Sequence, residues 1–235
     1  MAYITNGLSA YAVAKLSLSC DNERMSEARA LRPDSLAPWA EIVAGVGPVR
    51  VEALLTMPDD GWRYEVVEGV LVRVAGSGDL ATIIAGVILT ALNVFVRPRR
   101  LGRVTGADGV YKFRGAETGL LPDVGFYGAS SFSLVTDRRK PVPFAPELAV
   151  EVASPDQNVL EMAAKAQRYL RGGTRLVWVV WPDAHTINVW HPNDLRLRHE
   201  DMRPSMTKRL DDGDALDGED VIPGFSQPLA DVFDV

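Results

Sequence analysis

Three observations predict an α/β fold, a mixed sandwich. An uncharged helix candidate at 80–96 precedes three strand candidates, an amphipathic helix candidate follows them at 157–171, and the run after that, Leu176-Val-Trp-Val-Val-Trp, is apolar on both faces. The order helix, three strands, helix, strand alternates the two periodicities, as a layered α/β domain requires. The chain has 235 residues, 47% of them apolar and 24% charged, which suits a globular domain with a full core.

The net charge of −6 argues against a protein that coats nucleic acid indiscriminately, so any basic footprint must be local. The single cysteine, Cys20, cannot close an internal disulfide, which fits a reducing cytoplasm. No basic residue occurs before Lys15, so the start lacks the charged opening of a signal peptide. Residues 1–48 are read as a leader and a partly disordered lead-in with Pro33, Pro38 and Pro48, and 49–235 as the domain.

Val51-Glu-Ala-Leu-Leu-Thr-Met is a short helix stopped by the turn signal Pro58-Asp-Asp-Gly. From Tyr64 to Val74, two β-branched runs flank Glu68-Gly69 and read as a hairpin. Leu80 to Val96 is seventeen residues without a charge. That falls short of the roughly 20 a membrane span needs, and strand-like runs flank it, so it reads as a buried helix with no membrane partner. The strand candidates are Gly102–Phe113, Leu121–Tyr127 and Leu148–Ala153. In the second helix Val159, Met162, Ala163, Ala166, Tyr169 and Leu170 make one stripe, closed by Gly172-Gly173. Leu176–Trp181 reads as a central strand and Thr186–Trp190 as its hairpin partner. Residues 194–235 read as acidic and loop-rich, with a docking segment from Val221 to Phe233.

Two charges stand out inside apolar runs. Asp123 opens Leu-Leu-Pro-Asp-Val-Gly-Phe, and Glu151 is the lone charge of Leu-Ala-Val-Glu-Val-Ala. Carboxylates are costly to bury unless something compensates them. Paired on neighbouring strands, they suit a hard divalent cation such as Mg²⁺ or Mn²⁺, which takes oxygen ligands and activates bound water. Alternatively, each caps a turn or pairs with a buried arginine. Lys165 borders the apolar stripe of its helix, where it either reaches the sheet to orient water or stabilise developing charge, or pairs on the surface with Glu161 four residues earlier. Glu65 in the hairpin is either a third acid at the site or a solvated strand residue. His185, His191 and His199 lack metal-ligand spacing and read as surface residues. The basic clusters are Arg97-Pro-Arg-Arg and Arg138-Arg-Lys, either of which could contact phosphates or form a solvated loop.

From Val51 to Phe233 the chain resembles the Uma-type restriction endonucleases, a bacterial family of the PD-(D/E)xK nuclease superfamily. The resemblance rests on an ordered set: Met57-Pro-Asp-Asp-Gly-Trp-Arg-Tyr-Glu, Leu121-Pro-Asp, Pro146-Glu-Leu-Ala-Val-Glu-Val-Ala-Ser-Pro, Glu161 with Lys165, Tyr169, Gly173, Trp178, Trp181-Pro-Asp and Ile222-Pro-Gly-Phe-Ser-Gln-Pro-Leu. It implies a restriction-endonuclease-like αβββαβ core with a mixed central sheet flanked by helices and an added N-terminal β-hairpin. It also implies metal acids at Asp123 and Glu151, Glu65 as a further acidic position, and a homodimer. Ala153 stands where the superfamily carries its lysine, so that role passes to Lys165. Val70 replaces a second acid after the hairpin, and Leu80-Ala81 replaces a histidine.

The expected function is Mg²⁺- or Mn²⁺-dependent hydrolysis of DNA phosphodiesters, with Asp123, Glu151, Lys165 and Glu65 as the site. The alternative is an inactive nuclease-fold module that binds nucleic acid or a protein partner, which Val70, Leu80-Ala81 and the acidic balance favour.

Overall fold

The computed structural model describes residues 41–43, 48–74, 76–113, 117–192 and 205–235. Its centre is a six-stranded sheet onto which two helices pack from opposite sides. In chain order the core is α1 (Asp79–Arg99), β4 (Gly102–Thr105), β7 (Val124–Gly128), β8 (Leu148–Val152), α2 (Val159–Arg171) and β9 (Leu176–Trp181). That is the αβββαβ order. β10 (Thr186–His191) and β11 (Ser205–Leu210) complete the sheet, in the spatial order β11-β10-β9-β8-β7-β4. β8 and β9 run parallel, joined by α2, and the other pairs are antiparallel. A parallel pair needs a crossover of a dozen or more residues, which α2 supplies.

A second, five-stranded sheet has the order β1-β3-β2-β6-β5. Its members are β1 (Glu41–Ile42), β2 (Arg63–Val67), β3 (Val70–Val74), β5 (Tyr111–Lys112) and β6 (Gly119–Leu120). The expected hairpin is present, with Glu68 and Gly69 at φ 50° and 80°. Two successive positive φ values turn the chain with the hand that matches strand twist, which is why glycine stands at 69. The tail forms a two-stranded ribbon, β12 (Ala215–Asp217) with β13 (Ser226–Pro228), and a short helix α3 (Leu229–Phe233). Leu229, Val232 and Phe233 dock on the core beside α1.

Strand alternation sorts the two sides of the large sheet. Leu148, Val150, Val152, Leu176, Trp178 and Val180 face α1, packing with Ile84, Ile88, Leu92 and Val96. Ala149, Ala153, Val177 and Val179 face α2 and the small sheet, with Met162, Ala166, Tyr169 and Leu170. Glu151 lies between Ala149 and Ala153, so period two turns it toward α2.

Several expectations change. The segment 51–57 is a 3-10 helix, Val51–Thr56, rather than an α-helix. The expected strand 102–113 breaks at Gly106–Gly109, whose turn carries the chain from the large sheet to the small one. α1 runs past Val96 through Pro98, which lies in its last turn. The helix is therefore 21 residues long, enough to span a membrane by length and composition, yet Ile84, Ile88, Leu92 and Val96 pack on the sheet. The tail holds more strand than its polar sequence suggests, with β11 pairing on β10. Of the expected lead-in, residues 41–42 pair with β3, while 1–40 and 44–47 lie outside the described residues. Cys20 and His199 fall there or in 193–204 and are likewise outside.

Candidate active site

Asp123 immediately precedes β7. Val124 pairs with Val150, so one further step of the antiparallel ladder sets Asp123 opposite Glu151. Like charges across adjacent strands repel, and both need compensation. Asp123 finds it in the backbone N–H of Val152, which donates to its Oδ2 at 2.9 Å, and in Arg63, whose Nη1 is 3.6 Å from its Oδ1. Arg63 also donates to the carbonyl of Ala107 at 2.6 Å, tying β2 to the turn after β4.

Glu151 is 3% exposed and both of its oxygens are held from α2. Lys165 Nζ donates to Oε2 at 2.7 Å, and the Tyr169 hydroxyl donates to Oε1 at 2.6 Å. Lys165 and Tyr169 are four residues apart, one above the other on a helix face. The Nζ of Lys165 also lies 3.8 Å from Oε1 of Glu65, which comes from β2. Glu65 is 1% exposed; the backbone N–H of Leu121 reaches its Oε1 at 3.4 Å, and its Oε2 has no hydrogen-bond partner among the described residues.

The structure therefore brings Glu151, Lys165 and Glu65 together, with Asp123 alongside. Lys165 does not pair with Glu161: Glu161 closes a capping box with Asn158, accepting its backbone N–H at 3.1 Å. The reading of Glu65 as a solvated strand residue is overturned by its burial. Glu68 occupies the hairpin turn, as expected. His185 stacks on Phe233 with ring centres 4.9 Å apart, and His191 contacts Thr207 and Glu219, so neither joins the site.

Two contributors were not singled out from sequence. Arg63 precedes Glu65 by two residues and shares its strand face, a period-two relation readable from the sequence. Tyr169 was assigned to the apolar stripe, but burial of a phenol next to a lone strand carboxylate is a signal for a hydrogen bond.

The acids outnumber the ammonium. Burial pushes Glu151 up to about 7, against the pull of Lys165 and with the help of the negative charges of Asp123 and Glu65. Burial alone would lower Lys165, but Glu151, Glu65 and Asp123 outweigh it and raise it above the ordinary lysine value. The two shifts have different leading causes, burial for Glu151 and the surrounding carboxylates for Lys165, and Lys165 stays protonated. Tyr169 is likewise pushed well up, by burial and then by the Glu151 charge, and remains a donor.

Among the described residues no group of three His, Cys, Asp or Glu side chains forms a ready metal cage. The donor set still suits Mg²⁺, which uses one or two carboxylates and fills its remaining positions with water and substrate phosphate. The buried, unsatisfied Oε2 of Glu65 is the feature that a divalent cation would relieve.

The αβββαβ order and the mixed central sheet flanked by helices make a restriction-endonuclease-like fold. A crystal structure described as a putative nuclease belonging to DUF820, from Anabaena variabilis, shares it with a TM-score of 0.60 and 18% identity, covering 79% of this chain and 98% of that one. The chain belongs to the Uma2 family, described as "Putative restriction endonuclease", whose sequence profile matches residues 51–232. No curated protein matches the chain.

Proposed function

We propose that this protein is a divalent-metal-dependent endonuclease that hydrolyses DNA phosphodiester bonds, with residues 49–235 as the catalytic unit. The observation that carries the reading is the buried trio of Glu151, Glu65 and Lys165, with the partly buried Asp123 beside it, on the α2 side of an otherwise apolar sheet. Isolated buried charges are expensive, and a buried cluster of ionisable groups is the kind of arrangement found where chemistry demands it.

Asp123 and Glu151 would hold Mg²⁺ or Mn²⁺. When bound, such an ion polarises a phosphoryl oxygen and lowers the pKa of a coordinated water. Lys165, kept protonated by the acids around it, donates a hydrogen bond and a positive charge where the pentavalent transition state gathers negative charge. It cannot serve as the base. Glu65 lies 3.8 Å from Lys165 and offers its unsatisfied Oε2 as an acceptor for a water proton. Arg63 and the Val152 N–H fix Asp123 at the start of β7. Tyr169 orients Glu151.

A homodimer in the cytoplasm is part of the proposal. On α1 the half-buried to exposed residues Leu80, Ile83, Val87, Thr90 and Val94 recur at spacings of three and four, a seam suited to a helix of a second copy. Val94 is 69% exposed.

A second reading has its own observation. Both oxygens of Glu151 are already taken, by Lys165 and Tyr169, and a closed pair of this kind also suits an inactive module. One experiment separates the two: titrate Mg²⁺ and Mn²⁺ into wild type and Asp123→Ala with supercoiled plasmid present. The nuclease reading expects metal binding and nicking in wild type and neither in the variant. Identical behaviour of the two proteins sinks it.

A further inference from the structure

The two basic clusters of the sequence are about 40 positions apart, yet they meet. A cavity of about 610 Å³ runs along the edge of the six-stranded sheet, beside β4, which among the described residues has no partner strand on its outer side. Arg97 of α1, Arg103 of β4 and the turn Arg138–Lys140 line it, against one acid in its lining, Asp108. Arg139 is neutralised by a fork onto Asp137 at 3.0 and 3.2 Å. Among the described residues, Arg97, Arg103, Arg138 and Lys140 have no ion pair. In a chain of net charge −6, this concentration of cations is the exception.

One cation and the backbone after the basic turn are held in place. Arg103 lies over the Phe132 ring at 4.6 Å, a stacking contact that leaves the edge of the guanidinium available for hydrogen bonds. The basic turn is pinned downstream, where Val142 accepts from Lys112 at 2.8 Å and donates to Val110 at 2.9 Å. The strand along the cavity runs toward the acids, since Thr105 of β4 pairs with Gly125, two residues after Asp123. Asp108 in its lining follows Ala107, whose carbonyl holds the Arg63 that pairs with Asp123. β4 supplies about 13 Å of extended wall, about four base-pair rises of duplex DNA.

We propose that this cavity seats the backbone of a DNA duplex, with Arg97, Arg103, Arg138 and Lys140 taking phosphates of one strand and leading it along the β4 edge to Asp123. The proposal rests on the nuclease reading above and supplies the binding surface that the acidic site itself cannot provide, since its carboxylates repel phosphate in the absence of metal.

The test is fluorescence anisotropy of a labelled short duplex in EDTA, across about 50 to 200 mM salt. It compares wild type with the triple variant Arg97→Ala, Arg138→Ala, Lys140→Ala, whose sites are exposed and whose fold is checked by circular dichroism. Each cation removed from a phosphate should flatten the salt slope by about 0.9, so the variant should bind at least about tenfold more weakly at the higher salt, with a slope shallower by about 2.7. Its Mg²⁺ binding should equal that of wild type. Equal affinity and slope in the two proteins overturn the proposal, as does a wild type that binds no duplex or is displaced preferentially by duplex RNA. Plasmid nicking is followed separately with Asp123→Ala. If duplex binding depends on the three cations while nicking never occurs, the groove stands and the nuclease reading falls.

Discussion

The hydroxyl of Tyr169 donates to Oε1 of Glu151 at 2.6 Å from within the core, 18 positions away in sequence. A buried carboxylate on a central strand is thereby fixed by a side chain whose other contacts are apolar, including an edge-on approach to Phe113. The expected consequence of Tyr169→Phe is a loss of about 1.5–3 kcal/mol, the range for a hydrogen bond to a charged group. Urea denaturation measures it. An unchanged midpoint would mean that Glu151 is satisfied without the phenol.

Lys165 and Glu151 form a buried pair, and removing one partner strands the other's charge. Lys165→Met should destabilise the protein by about 3–5 kcal/mol. Adding Glu151→Gln to it should recover part of the loss, since the stranded charge is then gone. A double-mutant cycle with no coupling between the two positions would contradict the geometry.

The raised Glu151 gives a sign to the pH dependence. In the folded protein it holds its proton up to about 7, against 4.5 for an ordinary glutamate, so the native state binds more protons between those values. Stability must fall as pH rises through that window. Relative to Glu151→Gln, which cannot titrate, metal-free wild type should therefore lose stability from about pH 4.5 to 7. A wild type that gains stability relative to the variant as pH rises would refute the assignment.

Ligand linkage offers a check on the metal acids. A cation that binds only the native state stabilises it by about 2.7 kcal/mol at a hundredfold excess over Kd. Mg²⁺ or Mn²⁺ should raise the melting temperature of wild type and leave that of Asp123→Asn unmoved. A shift of equal size in both would place the ion elsewhere.

Gly125, two residues after Asp123, has its own packing reason. A Cβ there would lie 2.6 Å from the hydroxyl of Tyr111, which is fully buried and hydrogen-bonded to Thr105 at 2.8 Å. Gly125→Ala should cost about 1–3 kcal/mol, as overpacking in a rigid core does, and calorimetry would show it.

What the sequence determined by itself was local. The lone Glu151 in an apolar strand, the Glu68-Gly69 turn and the stripe of α2 are patterns of period two or 3.6, set by neighbours a few residues away. They place the elements and mark the two acids as anomalous. They leave Lys165 on the border between inside and outside, and the structure resolves it: α2 crosses from β8 to β9 with that border turned down onto Glu151. They also leave Glu65 undecided, because whether a hairpin glutamate meets water depends on what lies over it, and here α2 does. The arrival of Arg63 at Asp123, and of Arg97 beside Arg138, depends on strand order and on the turn at Gly106–Gly109 that moves the chain between sheets. Side-chain periodicity carries no information about which distant surface an element will face. That is decided when whole faces are buried against one another, and so only the tertiary structure could assemble this site.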